Sequence, residues 1–345
     1  ARRHDVREDV RVYRAIVRFR GRKAIAVAVI AVAALIALPY LIDEGGLLSS
    51  LVITGILFIG VLGLDVLMGY AGQVSLGQAA FLAIGGYTAA ILATTYGLSP
   101  LLGTLAGMVV SLACAIGLAL VTMRLRGAYL ALATLSFGLL VDSITVGLDI
   151  TGGPSGLVGI PSFSVGAISF DTQTSMYYLV LGIIIVLIAG LLGGMRSSFG
   201  RALQAIRTDQ TAAAALGIDV PRHKMAAFAI SAVLGSLSGS LYAFDFHFLS
   251  PEMVSTPRSF EMIAMQVVGG EGMLVGGLLG SALITLLPTI FQPLAAYKTL
   301  AEGAILVLAF QYMPDGIVGT LMRWLIAERG EAAPSARLAA KGQAQ

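Results

Sequence analysis

Apolar runs separated by short polar loops organise this chain. A bilayer crossing by an α-helix needs about 20 predominantly apolar residues. Seven runs come close to that length: 24–42, 50–68, 78–96, 101–123, 129–148, 176–195 and 225–245. Three shorter or glycine-broken runs follow, 259–273, 275–291 and 300–318. The pattern predicts an all-α, polytopic transmembrane helical bundle of about ten spans, with Gly-broken helices among them.

One polar interruption is too long and too helical for an ordinary loop. Residues 198–218 read SFGRALQAIRTDQTAAAALGI, between two long apolar segments. Ala202, Leu203, Ala205, Ile206, Ala213, Leu216 and Ile218 form an irregular apolar stripe, broken by Arg201, Gln204, Arg207, Asp209 and Gln210. Asp209 is a helix-starting residue type and Gly217 a helix-stopping one. Two short helices joined near residues 208 and 209 are predicted outside the bilayer, with small alanine faces that suit a groove on a partner protein. The alternative is a plain surface loop. Arg222, His223 and Lys224 then lead back towards the membrane.

Two apolar regions break in the same manner. GYAGQVSLG carries glycine at 69, 72 and 77, and GGEGMLVGG carries glycine at 269, 272 and 277. Non-helical backbone at membrane depth survives only when buried in protein or lining a water-filled path. Paired interruptions in corresponding halves of a transporter point to a translocation path; coincidence in a chain with 42 glycines is the competing reading. Asp65, Gly69, Gly72, Gln73, Ser75, Gln78, Gln266, Gly269 and Gly272 are therefore the pathway candidates, with Asp142 deeper in another span. Glu271, Glu261 and Glu302 also lie in breaks or at span ends. Each polar residue either lines a polar cavity or pairs with a neighbouring backbone or side chain.

Composition agrees with the pattern. Of 345 residues, 57% are apolar and 12% charged, with a mean hydropathy of +0.89, against roughly 25% charged in soluble domains. The net charge of +3 hides an asymmetry. With ten crossings, 20 of the 22 basic residues fall on one side: the arm, 124–126, the long insertion and the tail. Asp43, Glu44, Asp149, Asp171 and Glu252 fall on the other, with Arg258 and Lys298. Lys and Arg accumulate in cytoplasmic loops, so both termini and the insertion are expected in the cytoplasm. The expected divisions are a basic arm at 1–23, a permease domain at 24–322 containing the polar loop 196–224, and a disordered tail at 323–345. The arm either sets topology or lies on anionic lipid. The run 24–42 is too long for a signal-peptide core.

The chemistry excluded is as useful. The glycine-rich TGGPSGLVGIP at 151–161 is an outward loop of tight turns, and GxxxxGK[ST] is absent, so no P-loop binds ATP here. The single cysteine, Cys114, sits in an apolar run as a packing residue. His4, His223 and His247 form no ligand motif, so no metal is expected.

Five stretches together resemble the permease subunits of branched-chain amino acid ABC importers, LivM type. They are residues 63–88 (GLDVLMGYAGQVSLGQAAFLAIGGYT), TGGPSGL from Thr151, GRALQAIR at 200–207 with AAAALGI at 212–218, SPE at 250–252 and MPDG at 313–316. They span about 47 to 321 in the family's order. The resemblance implies that Gly200, Arg201, Ala205, Arg207, Asp209, Ala212, Ala213, Leu216 and Gly217 belong to a coupling loop that docks into an ATPase cleft. It also implies a second, LivH-type permease, two ATPase subunits that hold ATP and Mg2+, and an external solute-binding protein. This chain itself would carry no cofactor and bind no nucleic acid. The location implied is the cytoplasmic (inner) membrane of a bacterium or archaeon. Gln210 and Ala214 depart from the acids that relatives often carry, and Asp65 stands where an Asn is usual.

The expected function is import of branched-chain or other hydrophobic amino acids, driven by ATP hydrolysis in partner subunits, without enzymatic chemistry in this chain. Urea, short amides or small aromatic acids are alternative cargoes for the same machinery. An ion-coupled secondary transporter using Asp65 or Asp142 is the alternative of another class, and a membrane-embedded enzyme is third.

Overall fold

The computed structural model describes residues 22–41, 46–122, 125, 127–166, 168–290, 303 and 316. Within them the fold is helical: α1 (Arg22–Leu41), α2 (Gly46–Leu64), α3 (Gln78–Thr94), α4 (Pro100–Thr122), α5 (Ala128–Gly147), α6 (Gln173–Arg196), α7 (Ser198–Thr208), α8 (Gln210–Ala215), α9 (Val220–Phe246), α10 (Thr256–Gly269) and α11 (Gly276–Ile290). Five helices among the described residues are long and apolar enough to cross a membrane: Gly46–Tyr70, Pro100–Thr122, Ala128–Gly147, Gln173–Arg196 and Val220–Phe246. Two shorter apolar helices, Gln78–Thr94 and Gly276–Leu287, correspond to two more of the expected spans. The run expected at 259–273 ends earlier, because its helix stops at Gly269. The arm up to 21, the run 300–318 except Gly303 and Gly316, and the tail from 323 lie outside the described residues.

The bundle is organised around α2 and α9, which are buried along most of their length. Phe58, Ile59, Leu62, Leu241, Phe244 and Met262 meet in the main core. By contrast, α4, α5 and α6 turn large apolar side chains outward, among them Val109, Val121, Leu132, Leu140 and Val186. Such faces are untenable in water over this extent and stable against hydrocarbon.

Between α3 and α9 the helices approach closely enough for backbone contact. A Cβ on Gly239 would sit 1.9 Å from the Leu82 carbonyl oxygen, and one on Gly85 would sit 2.3 Å from that of Ser236. Small residues at crossings and hydroxyls bonded across helices are how packing is achieved where lipid removes the hydrophobic drive. Ser238 Oγ donates to Ile56 O at 2.6 Å and Ser240 Oγ to Gly85 O at 3.1 Å.

At α1 the sequence solves a local defect. Pro39 has no N–H, so the Leu35 carbonyl loses its partner four residues on. Tyr177 of α6 donates its hydroxyl to Leu35 O at 2.8 Å, and Tyr178 donates to Ile36 O at 3.1 Å. The proline defect thereby becomes the docking point of α1 on α6.

Between α5 and α6 lies a cap of short elements. Thr151–Pro161 forms tight turns with left-handed Gly152, Gly153, Gly156 and Gly159, as expected. Within it, β1 (Leu157–Val158) pairs antiparallel with β4 (Phe248–Leu249). A hairpin, β2 (Ser164–Val165) with β3 (Ile168–Ser169), is followed by Asp171, which accepts from Ser169 Oγ at 2.6 Å. That bond and one with Ser162 hold the Asp171 carboxyl below the usual carboxylate range.

Candidate functional site: the junction of two glycine breaks

Helix α2 does not simply stop at the first break. It widens into a π-helical segment, Asp65–Tyr70, with Ala71 N bonded to Val66 O at 3.2 Å, five residues back. π-turns inside apolar helices recur at functional positions. Gly72 then reverses the chain at φ +65°, and 71–77 lead to α3. The second break follows the end of α10 at Gly269: Gly270 sits at φ +112°, Gly272 at φ +77°, and α11 starts at Gly276. The echo read from sequence therefore has a conformational counterpart, since Gly72 and Gly272 hold equivalent positions and share a left-handed backbone.

These two breaks meet each other. A Cβ on Gly69 would lie 2.5 Å from Gly272 N. Asp65 Oδ1 accepts that N–H at 2.7 Å and receives Gln266 Nε2 at 3.4 Å. Asp65 is 3% exposed and Gln266 is buried; among the described residues, Asp65 Oδ2 and Gln266 Oε1 have no hydrogen-bond partner. Gly316, from the MPDG stretch, packs against Gly270, and Gly269 packs against the backbone of Gly276.

The polar insertion closes over this junction. As expected, it forms two helices: Ser197 caps α7, and Asp209 caps α8 by accepting from Thr211 N and Ala212 N at 2.7 and 3.1 Å. Gly217, left-handed at φ +85°, ends the second. Leu203 and Ile206 face inward, Leu203 into a cluster with Val66, Leu67 and Phe228. Arg207, at the end of α7, reaches the breaks. Its Nη1 donates to the Gly69 carbonyl, and Nη2 lies 3.4 Å from the Glu271 carboxylate.

The structure sorts the residues expected in the coupling loop by exposure. Ala213 is 2% exposed, turned into its own chain, whereas Leu216 is 82% exposed. Ala212 and Gly217 are also on the surface. Gly200 lies against the last turn of α6, where a Cβ would strike Met195 O. Arg201 is exposed and donates to Arg196 O at 3.0 Å, and Ala205 is half-buried. The sequence stripe could not distinguish Ala213 from Leu216, because both carry the same apolar label.

Other pathway candidates are found in packing. Gln78 spends its amide on Gly60 O and Ser231 O at 3.1 and 3.2 Å and accepts from Ser231 Oγ at 2.9 Å. Gln73 donates to Lys224 O at 3.3 Å. Ser75 is buried and accepts weakly from Gly77 N. Asp142 lies apart from the junction; its Oδ2 accepts both the backbone N–H and the hydroxyl of Thr256, at 2.9 and 2.6 Å. It thereby caps α10 from a different helix. Sequence reasoning missed Glu271 as the partner of Arg207, and Thr256 as the partner of Asp142, because neither pair is close in sequence.

A lipid-facing helical bundle with two glycine breaks that meet beneath a polar helix pair is the architecture of a membrane permease. Residues 46–310 match the family model described as the branched-chain amino acid transport system permease component. This chain belongs to that family. It is 31% identical over 326 residues to the high-affinity branched-chain amino acid transport system permease protein LivM of Salmonella typhimurium, covering 86% of this chain and 75% of the relative. Identity to LivM of Escherichia coli K12 is also 31%, over 312 residues, 82% of this chain and 72% of the relative. The LivH permease of the same Escherichia coli strain is 26% identical over 125 residues, 36% and 40% of the two chains. No solved structure matches the chain. The family and these relatives are transport permeases, so this chain is a transport subunit and not an enzyme.

Proposed function

We propose that this chain is one of two related permeases in an ATP-driven importer of the cytoplasmic membrane, carrying branched-chain or other hydrophobic amino acids inward. Its partners are a LivH-type permease, two ATPase subunits that bind ATP and Mg2+, and an external binding protein that delivers the cargo. Both termini and the helix pair α7–α8 face the cytoplasm. ATP-driven closure of the ATPase dimer displaces α7–α8, and the attached helices rock to switch access from one side to the other.

Leu216 carries the coupling part of this reading. A large apolar side chain exposed at 82% on a polar helix pair, flanked by exposed Ala212, Ala214 and Gly217, is a knob in search of a groove. The family match supports the cargo class.

The experiment is extraction of the complex from native membranes by a tag on this chain, intact mass spectrometry, and uptake of labelled leucine into proteoliposomes. Two ATPases and a second permease at fixed stoichiometry, with ATP-dependent uptake, are expected. Leu216→Glu should remove the ATPases from the complex and abolish uptake. Uptake by this chain alone, collapsing with the proton gradient, would replace the reading with a secondary transporter. ATP-dependent uptake of urea or an amide in place of leucine would change the cargo only.

A further inference from the structure

We propose that Arg207 is the positioning residue that makes α7 and both glycine breaks move as one body, so that a displacement of the helix pair reaches two parts of the bundle through a single side chain. This rests on the importer reading above.

Four observations meet at this residue. The guanidinium is a planar fork of N–H donors. One nitrogen donates to the Gly69 carbonyl in the first break, and the other faces Glu271 in the second. One guanidinium thus spans segments about 200 positions apart in the chain.

The slot it occupies is made by the repeated glycines. A Cβ on Gly72 would lie 2.9 Å from Arg207 Cγ and 3.3 Å from its Cα, and a Cβ on Gly272 would lie 3.4 Å from Nη1. Both glycines are left-handed, at φ +65° and +77°. The corresponding positions of the echo are thus both bare towards the same arginine. Asp65 fastens the slot from behind through the Gly272 N–H.

Stability is a poor account of this arrangement. The Arg207–Glu271 pair is 43% and 39% exposed, where solvent screening leaves an ion pair little net worth. Burial of Leu203 and Ile206 already anchors α7, and apolar contact is non-directional. The arginine adds direction: it fixes where α7 stands relative to both breaks.

The test uses the complex extracted by a tag on this chain and reconstituted in proteoliposomes, with ATP hydrolysis and leucine uptake measured on the same vesicles. Arg207→Ala should reduce uptake far more than hydrolysis, raising the ATP consumed per leucine about tenfold, within the range of a broken coupling contact. Glu271→Gln strips the charge from one arm while keeping an acceptor, and should raise the ratio about two- to threefold. Arg207→Lys keeps the charge without the fork and should fall between the parent and Arg207→Ala. An unchanged ratio in Arg207→Ala, whether both rates hold or both fall together, overturns the proposal. If Arg207→Ala does not assemble, Arg207→Lys and Glu271→Gln decide it, and parental ratios in both overturn it. A parent complex without ATP-driven uptake sinks the importer reading, and this inference with it. A coupled parent with coupled variants sinks the inference alone.

Discussion

Asp65 Oδ1 accepts the backbone N–H of Gly272 at 2.7 Å, tying the π-segment of α2 to the loop after α10 across 207 positions of chain. That bond turns two separate interruptions into one junction, with Asp65 and Gln266 on its buried side. The carboxylate's other oxygen and Gln266 Oε1 remain without donors among the described residues.

An asparagine at this position keeps an oxygen for Gly272 and replaces the unpartnered Oδ2 acceptor with an N–H donor. Asp65→Asn should therefore unfold at or above the parent temperature. Asp65→Ala strands the Gly272 N–H, at a cost of about 1–3 kcal/mol. Thermal unfolding of the purified complex, read by intrinsic fluorescence, orders the three; Asp65→Ala above the parent would refute the account.

Asp142 supplies the cap of α10. Asp142→Ala should destabilise by about 1–2 kcal/mol, the usual worth of a helix cap, with the loss visible in the unfolding temperature. Asp142→Asn retains an acceptor for the Thr256 N–H and hydroxyl and should keep uptake within about twofold of the parent, since no such cap is lost. A large change in uptake with unchanged stability would return Asp142 to the transport path.

Tyr177 repairs the gap that Pro39 leaves at Leu35. Tyr177→Phe preserves the ring and removes the donor, costing about 1 kcal/mol in net hydrogen bonding. Faster proteolytic release of α1 from detergent-solubilised protein would report it. Equal release in variant and parent would mean that ring packing alone holds α1.

Gly239 permits the contact between α3 and α9. Even alanine places a methyl group 1.9 Å from Leu82 O, so Gly239→Ala must shift a helix at about 1–3 kcal/mol. Gly239→Leu should leave no monodisperse protein on size exclusion. A normal elution profile for Gly239→Leu would show that the crossing is softer than its geometry implies.

Much of this was legible beforehand, for identifiable reasons. Apolar length marks spans because lipid demands it, so α2, α4, α5, α6 and α9 fall where the runs do. Asp209 and Gly217 punctuate the helix pair where expected, because capping is chemistry between near neighbours. The glycine echo at 69, 72 and 269, 272 was visible as spacing.

Sequence by itself determined the helices, their apolar character, the polar helix pair and the positions of both breaks. All are consequences of local composition and period. Only the tertiary structure decided that the breaks face each other, that Arg207 enters the slot between them, and that Asp142 caps a helix. It also decided that Ala213 turns inward while Leu216 turns out. Those outcomes depend on which surfaces meet across hundreds of residues, and contact between distant segments leaves no periodic trace in either one.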